Sequence, residues 1–316
     1  MSVPQAAAFR RVAALVPPAG GSISGVAWNP AGTLVATSDQ NGSTYVWQVP
    51  ADRLALAPLT APGAGNAYYT AFSPGGGELA TGYQDGSVDL WSVPSGRLIA
   101  AFTQPSGGQV DTVAFSPNGG TLATCGFGSP IYLWNVAHGN RPSSPEASLP
   151  AVGGKGAYTV AFGSRGLLAT GSFTGTVQVW DVGTRTVTAI YSLPGGSAVS
   201  ALAFDATGGL LAAGDKGGNG YVWNLARGSG APVAAPPGSA IWGMSFRGTG
   251  TLAMADKDGD TYLWRVSPVG PAVSLTGTLP DPSPGRDGVG ALAFSPAGGY
   301  LATGDTNGRA YLWRAG

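Results

Sequence analysis

Apolar runs of four to six residues recur along the whole chain, each bounded by Gly, Pro, Asn and Ser, and none shows the spacing of an amphipathic helix. Read as short strands, they repeat one phrase: an aromatic near the end of a first run, a turn, a second run of the L-A-T-G type, another turn, and a third run ending in Trp. The copies begin with VAWNPAGTLVATSDQNGSTYVW and YTAFSPGGGELATGYQDGSVDLW and close on Trp47, Trp91, Trp134, Trp180, Trp223, Trp264 and Trp313. The first aromatic is Trp28, Phe72, Phe115, Phe162, Phe204, Phe246 or Phe294, always 18 or 19 residues before the closing Trp. Length variation is therefore confined to the links between copies, as expected where strands are packed and loops are free.

Five residues before the closing Trp stands Gly42, Gly86, Gly175, Gly218, Gly259 or Gly308, with Ser129 as the exception. A tight turn with a positive φ accounts for that glycine. A fourth run follows the Trp, as in RLALAPL, RLIAAFT and TVTAIYSL. Four antiparallel strands in a repeat of roughly 45 residues make one propeller blade, so the chain is expected to be an all-β, seven-bladed β-propeller. The last copy has no fourth run of its own, whereas RVAALVPP precedes the first copy and matches the others. The N-terminal segment about 10–17 is thus expected to complete the last blade, with seven repeats over about 22–316 in one domain spanning 1–316.

Gly (53) and Pro (25) are numerous, but their regular placement makes them turn punctuation in a chain that is 43% hydrophobic. Charged residues amount to 10%, sixteen basic against sixteen acidic, with no basic cluster of the kind that phosphate binding requires. No nucleic-acid partner is expected. No apolar run is long enough to span a membrane, and the five apolar residues after Arg10-Arg11 fall short of a signal peptide. A soluble, cytoplasmic, monomeric protein follows as the expectation, and the wealth of Ala, Gly, Pro and Arg points to a GC-rich bacterial genome. The lone Cys125 lies in a core run, where it reads as a small buried hydrophobe.

These motifs resemble the WD-repeat family of β-propellers over essentially the full length. The family's signature pairs are mostly missing: Trp-Asp occurs once, at Trp180-Asp181, and Gly-His nowhere. The sole histidine, His138, cannot serve seven repeats. The turn position that holds an Asp in the family carries Asn41, Asp85, Gly128, Thr174, Gly217, Asp258 and Asn307. A buried Asp without its His would be costly, so losing both avoids the penalty. Interblade packing and turn geometry are expected to take over.

Catalysis finds little material. The two glutamates, Glu78 and Glu146, fall in a turn and a Pro-rich loop, and most of the 14 aspartates lie in turns where they bond their own backbone. No histidine-based metal set is available, Gly75-Gly76-Gly77 lacks the Lys-Ser/Thr of a phosphate loop, and no cofactor is expected.

The resemblance implies binding through the face formed by the entry to the first strand and the turn between the second and third. Two columns of the repeat should point there. Four residues before the first aromatic stand Ser24, Tyr68, Asp111, Tyr158, Ser200, Trp242 and Gly290. Seven before the closing Trp stand Gln40, Gln84, Phe127, Phe173, Lys216, Lys257 and Thr306. Tyr68, Asp111, Phe127, Tyr158, Phe173, Lys216, Trp242 and Lys257 are the candidate partner-binding residues, because Tyr and Trp dominate interface energetics. An aromatic sector beside a weakly basic one would suit an acidic, partly apolar peptide. The expected function is a non-catalytic scaffold or adaptor with a protein or peptide partner; with no kinase motif in the chain, any signalling role would need a separate partner. A small-molecule or glycan-binding propeller and an Asp-based enzyme at the channel mouth are the alternatives. Aromatics that merely cap the core would instead be nearly buried in the isolated chain.

Overall fold

The structure, a computed structural model, describes residues 9–61, 63–137, 142–150, 156–234, 239–267, 273–282 and 288–316. His138, singled out in the sequence, lies outside them. Seven antiparallel sheets follow one another along the chain, with short 3-10 turns such as Ser164–Gly166 and Pro194–Gly196 between strands. Blade 2 illustrates the pattern: Ala67–Phe72 is innermost, followed outwards by Glu78–Tyr83, Ser87–Ser92 and Leu98–Thr103. Blade 1 differs in that its outer strand is broken into Arg53–Leu54 and Leu59–Thr60, both paired with Ser43–Gln48. No helix among the described residues is long and apolar enough to cross a membrane.

The ring closes as the sequence predicts. Phe9–Leu15 pairs with Ala310–Ala315, from Phe9 opposite Ala315 to Leu15 opposite Ala310, and supplies the outer strand of the last blade. Leu15 is fully buried, and the Phe9 ring lies 5.9 Å from that of Phe294.

The core is distributed between blades. Each of the seven junctions between neighbouring blades holds its own hydrophobic cluster, including the one across the closure, where Leu15 and Leu312 meet Ile23, Val26 and Trp28. A lone blade would leave these faces wet, and the closed ring covers them all. The glycine of the L-A-T-G run serves this packing. A Cβ on Gly82, Gly171 or Gly214 would stand 2.5 to 2.7 Å from Val110, Val199 or Ile241, the residues that open the next blade. Cys125 is buried and free, and burial pushes its thiol pKa up.

The turn glycines take their expected conformation, with φ between 77° and 91° at Gly42, Gly86, Gly175, Gly218, Gly259 and Gly308. In blade 3 the positive φ moves one residue earlier, to Gly128 at 75°, which relieves Ser129 of that conformation.

Buried polar groups are more systematic than the sequence reading expected. Eight residues before the closing Trp, Asp39, Asp215, Asp256 and Asp305 are fully buried. Asp39 Oδ1 accepts from the amides of Asn41 and Ser43, each at 3.0 Å, and Asp256 Oδ1 from those of Asp258 and Asp260. Ser172 does the same in blade 4. The hydroxyls of Tyr45 and Tyr262, six residues on, donate to the second carboxylate oxygens of Asp39 and Asp256. The closing Trp indoles of blades 1, 3, 4 and 7 donate to Thr37, Thr124, Thr170 and Thr303. The His-Asp pair is missing, as its motif indicated, but turn-capping carboxylates and Trp–Thr bonds replace it. Reliance on apolar packing and turn geometry alone is thereby corrected.

Candidate docking site at the channel mouth

The innermost strands of all seven blades line the central channel, and six of them carry the same irregularity. Register shifts between Ile23 and Gly25, Ala67 and Tyr69, Ala157 and Thr159, Val199 and Ala201, Ile241 and Gly243, and Val289 and Ala291. The extra residues are Ser24, Tyr68, Tyr158, Ser200, Trp242 and Gly290, the first variable column of the repeat. A bulge residue has no partner across the ladder and its side chain is re-aimed. In blade 3 the strand begins later, at Thr112, and Asp111 takes the corresponding place, its backbone N–H donating a hydrogen bond to the Cys125 carbonyl.

These residues surround a cavity of about 480 Å³. Seven of the eight candidates line it: Tyr68, Asp111, Phe127, Tyr158, Phe173, Lys216 and Trp242. Lys257 is exposed but stands outside the lining, so the weakly basic sector does not assemble around the cavity as the repeat columns suggested. Its blade enters the mouth through Trp242 instead.

Three of the aromatic residues form a connected series across blades 3 and 4, which Lys216 extends to blade 5. Phe127 meets Phe173 edge to face at 5.0 Å, and Phe173 meets Tyr158 edge to face at 5.3 Å. The ammonium of Lys216 stands 4.0 Å from the centre of the Tyr158 ring, within cation–π range. Phe127 is 56% exposed, whereas Tyr68, Tyr158, Phe173 and Trp242 are half-buried. Full burial, the mark of a core cap, is therefore absent from this group, and the rings of Phe127, Phe173 and Tyr158 are contiguous.

Asp111 is half-buried and is the cavity's one carboxylate. Its Oδ1 accepts from Gln109 Nε2 at 2.7 Å and its Oδ2 from the Phe127 amide at 3.1 Å. Desolvation pushes its pKa up to about 6, with the two hydrogen bonds and the charge of Lys216 acting the other way. A single carboxylate cannot supply the paired groups of general acid–base work. The glutamates lie elsewhere, Glu146 in an ion pair with Arg185 at 3.6 Å, and no metal-binding group of side chains occurs among the described residues.

Several lining residues were not anticipated. Tyr69, 36% exposed, and Gln109 escape a reading by columns. Strand alternation assigns Tyr68 and Tyr69 to opposite faces, and only the bulge brings both to the mouth. Gln109 is bound to this site by the short hydrogen bond to Asp111, a contact without a sequence motif.

The family model for the WD domain, G-beta repeat, matches residues 13–48, 96–135, 187–224 and 274–314. Each match starts near an outer strand and ends near a closing Trp, so the family's unit is offset from the blade by one strand. Among solved structures, a chain in the crystal structure of the mitotic checkpoint complex is similar in fold, with a TM-score of 0.82 at 20% identity over 99% of this chain and 95% of that one. Seven repeats, four matches to the family model and a ring closed by the N-terminal strand together place this chain among the WD-repeat β-propellers.

Proposed function

We propose that the protein is a non-catalytic adaptor that docks a protein or peptide partner on the channel-mouth face. The observation that carries this reading is the convergence of the variable columns of the repeat on one asymmetric cavity, with contiguous half-exposed aromatics on one side. A small-molecule or glycan binder would more naturally repeat an aromatic pocket from blade to blade. Here Ser24, Ser200 and Gly290 hold the positions where blades 2, 4 and 6 carry Tyr68, Tyr158 and Trp242. Such large, rigid side chains contribute contact area at low entropic cost, which is why they anchor interfaces. The expectation of an acidic partner loses its support, because Lys257 lies away from the cavity and Lys216 faces an acid.

Affinity capture from native lysate tests the reading. A partner retained by the wild type and lost from a Tyr158→Ala, Trp242→Ala variant of unchanged melting temperature places docking at the mouth. Equal recovery by both proteins refutes it.

A further inference from the structure

Two opposite charges share the mouth without forming an ion pair. Asp111 uses one hydrogen bond on each carboxylate oxygen, to Gln109 and to the Phe127 amide, which leaves each oxygen a further lone pair. Among the described residues the ion pair is that of Arg185 with Glu146, so neither Asp111 nor Lys216 has a salt-bridge partner. Lys216 instead lays its ammonium on the Tyr158 ring, at the end of the Phe127–Phe173–Tyr158 series. Apart from Lys216, the cavity lining offers no basic side chain.

The surroundings of Lys216 are thus those of a cation site: an aromatic face, negative by its quadrupole, and a desolvated carboxylate near enough to feel its charge. The occupant is loosely held. Lys216 is exposed, sits on the turn between the second and third strands of its blade, and its ammonium has only the ring contact at this site. A long flexible stem lets such a group swing into water without disturbing the backbone.

We propose that this corner of the mouth is a recognition slot for a cationic side chain of the docking partner, occupied in the free protein by Lys216. The incoming group takes over the Tyr158 face and the open lone pairs of Asp111, and Lys216 moves out to solvent. A guanidinium holds an advantage over an ammonium. It is flat, less strongly hydrated, and presents parallel N–H donors that match the two carboxylate oxygens. An anionic group entering the same corner would meet Asp111 at close range. The slot rests on the reading of the mouth as a docking face and adds to it the charge of the residue that docks.

Ligand-observed NMR with three probes, the Nα-acetyl methylamides of arginine, lysine and glutamate, tests the slot on the full chain. Lys216→Met should bind the arginine probe about tenfold more tightly than wild type, because the resident competitor is gone. The lysine probe should bind more weakly than the arginine probe, and the glutamate probe not at all. Asp111→Asn, which keeps one acceptor oxygen, should lose the arginine probe. Should that variant fail to fold, the Lys216→Met comparison decides by itself. Equal affinity in wild type and Lys216→Met, or a preference for glutamate, overturns the proposal. If capture from lysate depends on Tyr158 and Trp242 while the probes show no discrimination, the docking face stands and the cation slot falls. Discrimination among probes with unchanged capture keeps the slot as a small-ligand site and removes the protein-docking reading.

Discussion

Asp89 holds an unusual place among the buried carboxylates. In blades 1, 5, 6 and 7 the acid stands eight residues before the closing Trp and a Tyr two before it, as in Asp39 with Tyr45 and Asp256 with Tyr262. Blade 2 exchanges them, as Tyr83 and Asp89. Its turn is capped by Asp85 instead, whose Oδ1 takes the Ser87 amide and hydroxyl. Asp89, 4% exposed on the third strand, is thereby removed from the turn amides that hold Asp39 and Asp256. Burial and the charge of Asp85 push its pKa up to about 6, and Tyr83 offsets this only in part. A carboxyl whose folded pKa lies above its unfolded value binds more protons in the folded state. Its contribution to stability is fully present below about pH 4 and lost as the pH rises through 6. Asp111 shifts in the same direction. Denaturant titrations should therefore show stability falling between pH 4 and 6. The ionised form of Asp89 weighs on the fold by about 3 kcal/mol at pH 7. Asp89→Asn should flatten part of that slope and raise stability at pH 7, and an unchanged profile would show that Asp89 does not contribute to it.

At the scale of the strand and its neighbours, the glycine of the second strand matters for space rather than for φ. Alanine would ordinarily be the better residue in a strand interior. At Gly171, however, a Cβ would lie 2.7 Å from Val199 Cγ1 and 2.9 Å from Thr159 Cγ2, both on innermost strands. Val199 is fully buried and β-branched, so it has no room to turn aside. Gly171→Ala should destabilise by about 1–3 kcal/mol, as overpacked cores do. Adding Val199→Ala should return part of that loss, giving a measurable coupling in a double-mutant cycle. Simple additivity would mean that the two residues do not press on each other. The strands, their order within a blade and the closure were legible because each recurs at constant spacing from a Trp. The turn glycines were legible through their φ. The bulges were not, since an extra residue leaves the alternation of a six-residue run ambiguous, and Tyr69 was missed for that reason. Nor was the Asp column eight before the Trp, which in blade 2 reads as Tyr83 and in blade 4 as Ser172. Lys257 occupies the same repeat position as Lys216, yet only Lys216 has a neighbouring Tyr158 ring to hold it at the mouth.

For the whole molecule, closure is what turns seven marginal sheets into one cooperative structure. Each blade is covered on both faces by its neighbours, so opening one junction exposes a hydrophobic cluster on either side of the gap. The strand Phe9–Leu15 joins the chain's N-terminal region to Ala310–Ala315, and Leu15 reaches into the junction between the last and first blades. Phe9 packs into the adjoining junction, between blades 6 and 7, beneath the Arg247 guanidinium at 5.5 Å. Removing the strand loses the burial of both side chains, about 1.5–3 kcal/mol each, and a complete ladder besides. It also leaves Ala310–Ala315 as an open edge able to pair with other chains. Deletion of residues 1–18 should therefore lower the melting temperature of the entire protein in a single transition, rather than release the last blade alone. It should also favour aggregation. A synthetic peptide of residues 9–18 added in trans should recover part of the lost stability in a concentration-dependent way, because it binds the folded ring and not the unfolded chain. A truncated protein that melts at the wild-type temperature would show that the interblade clusters hold the ring without its closing strand.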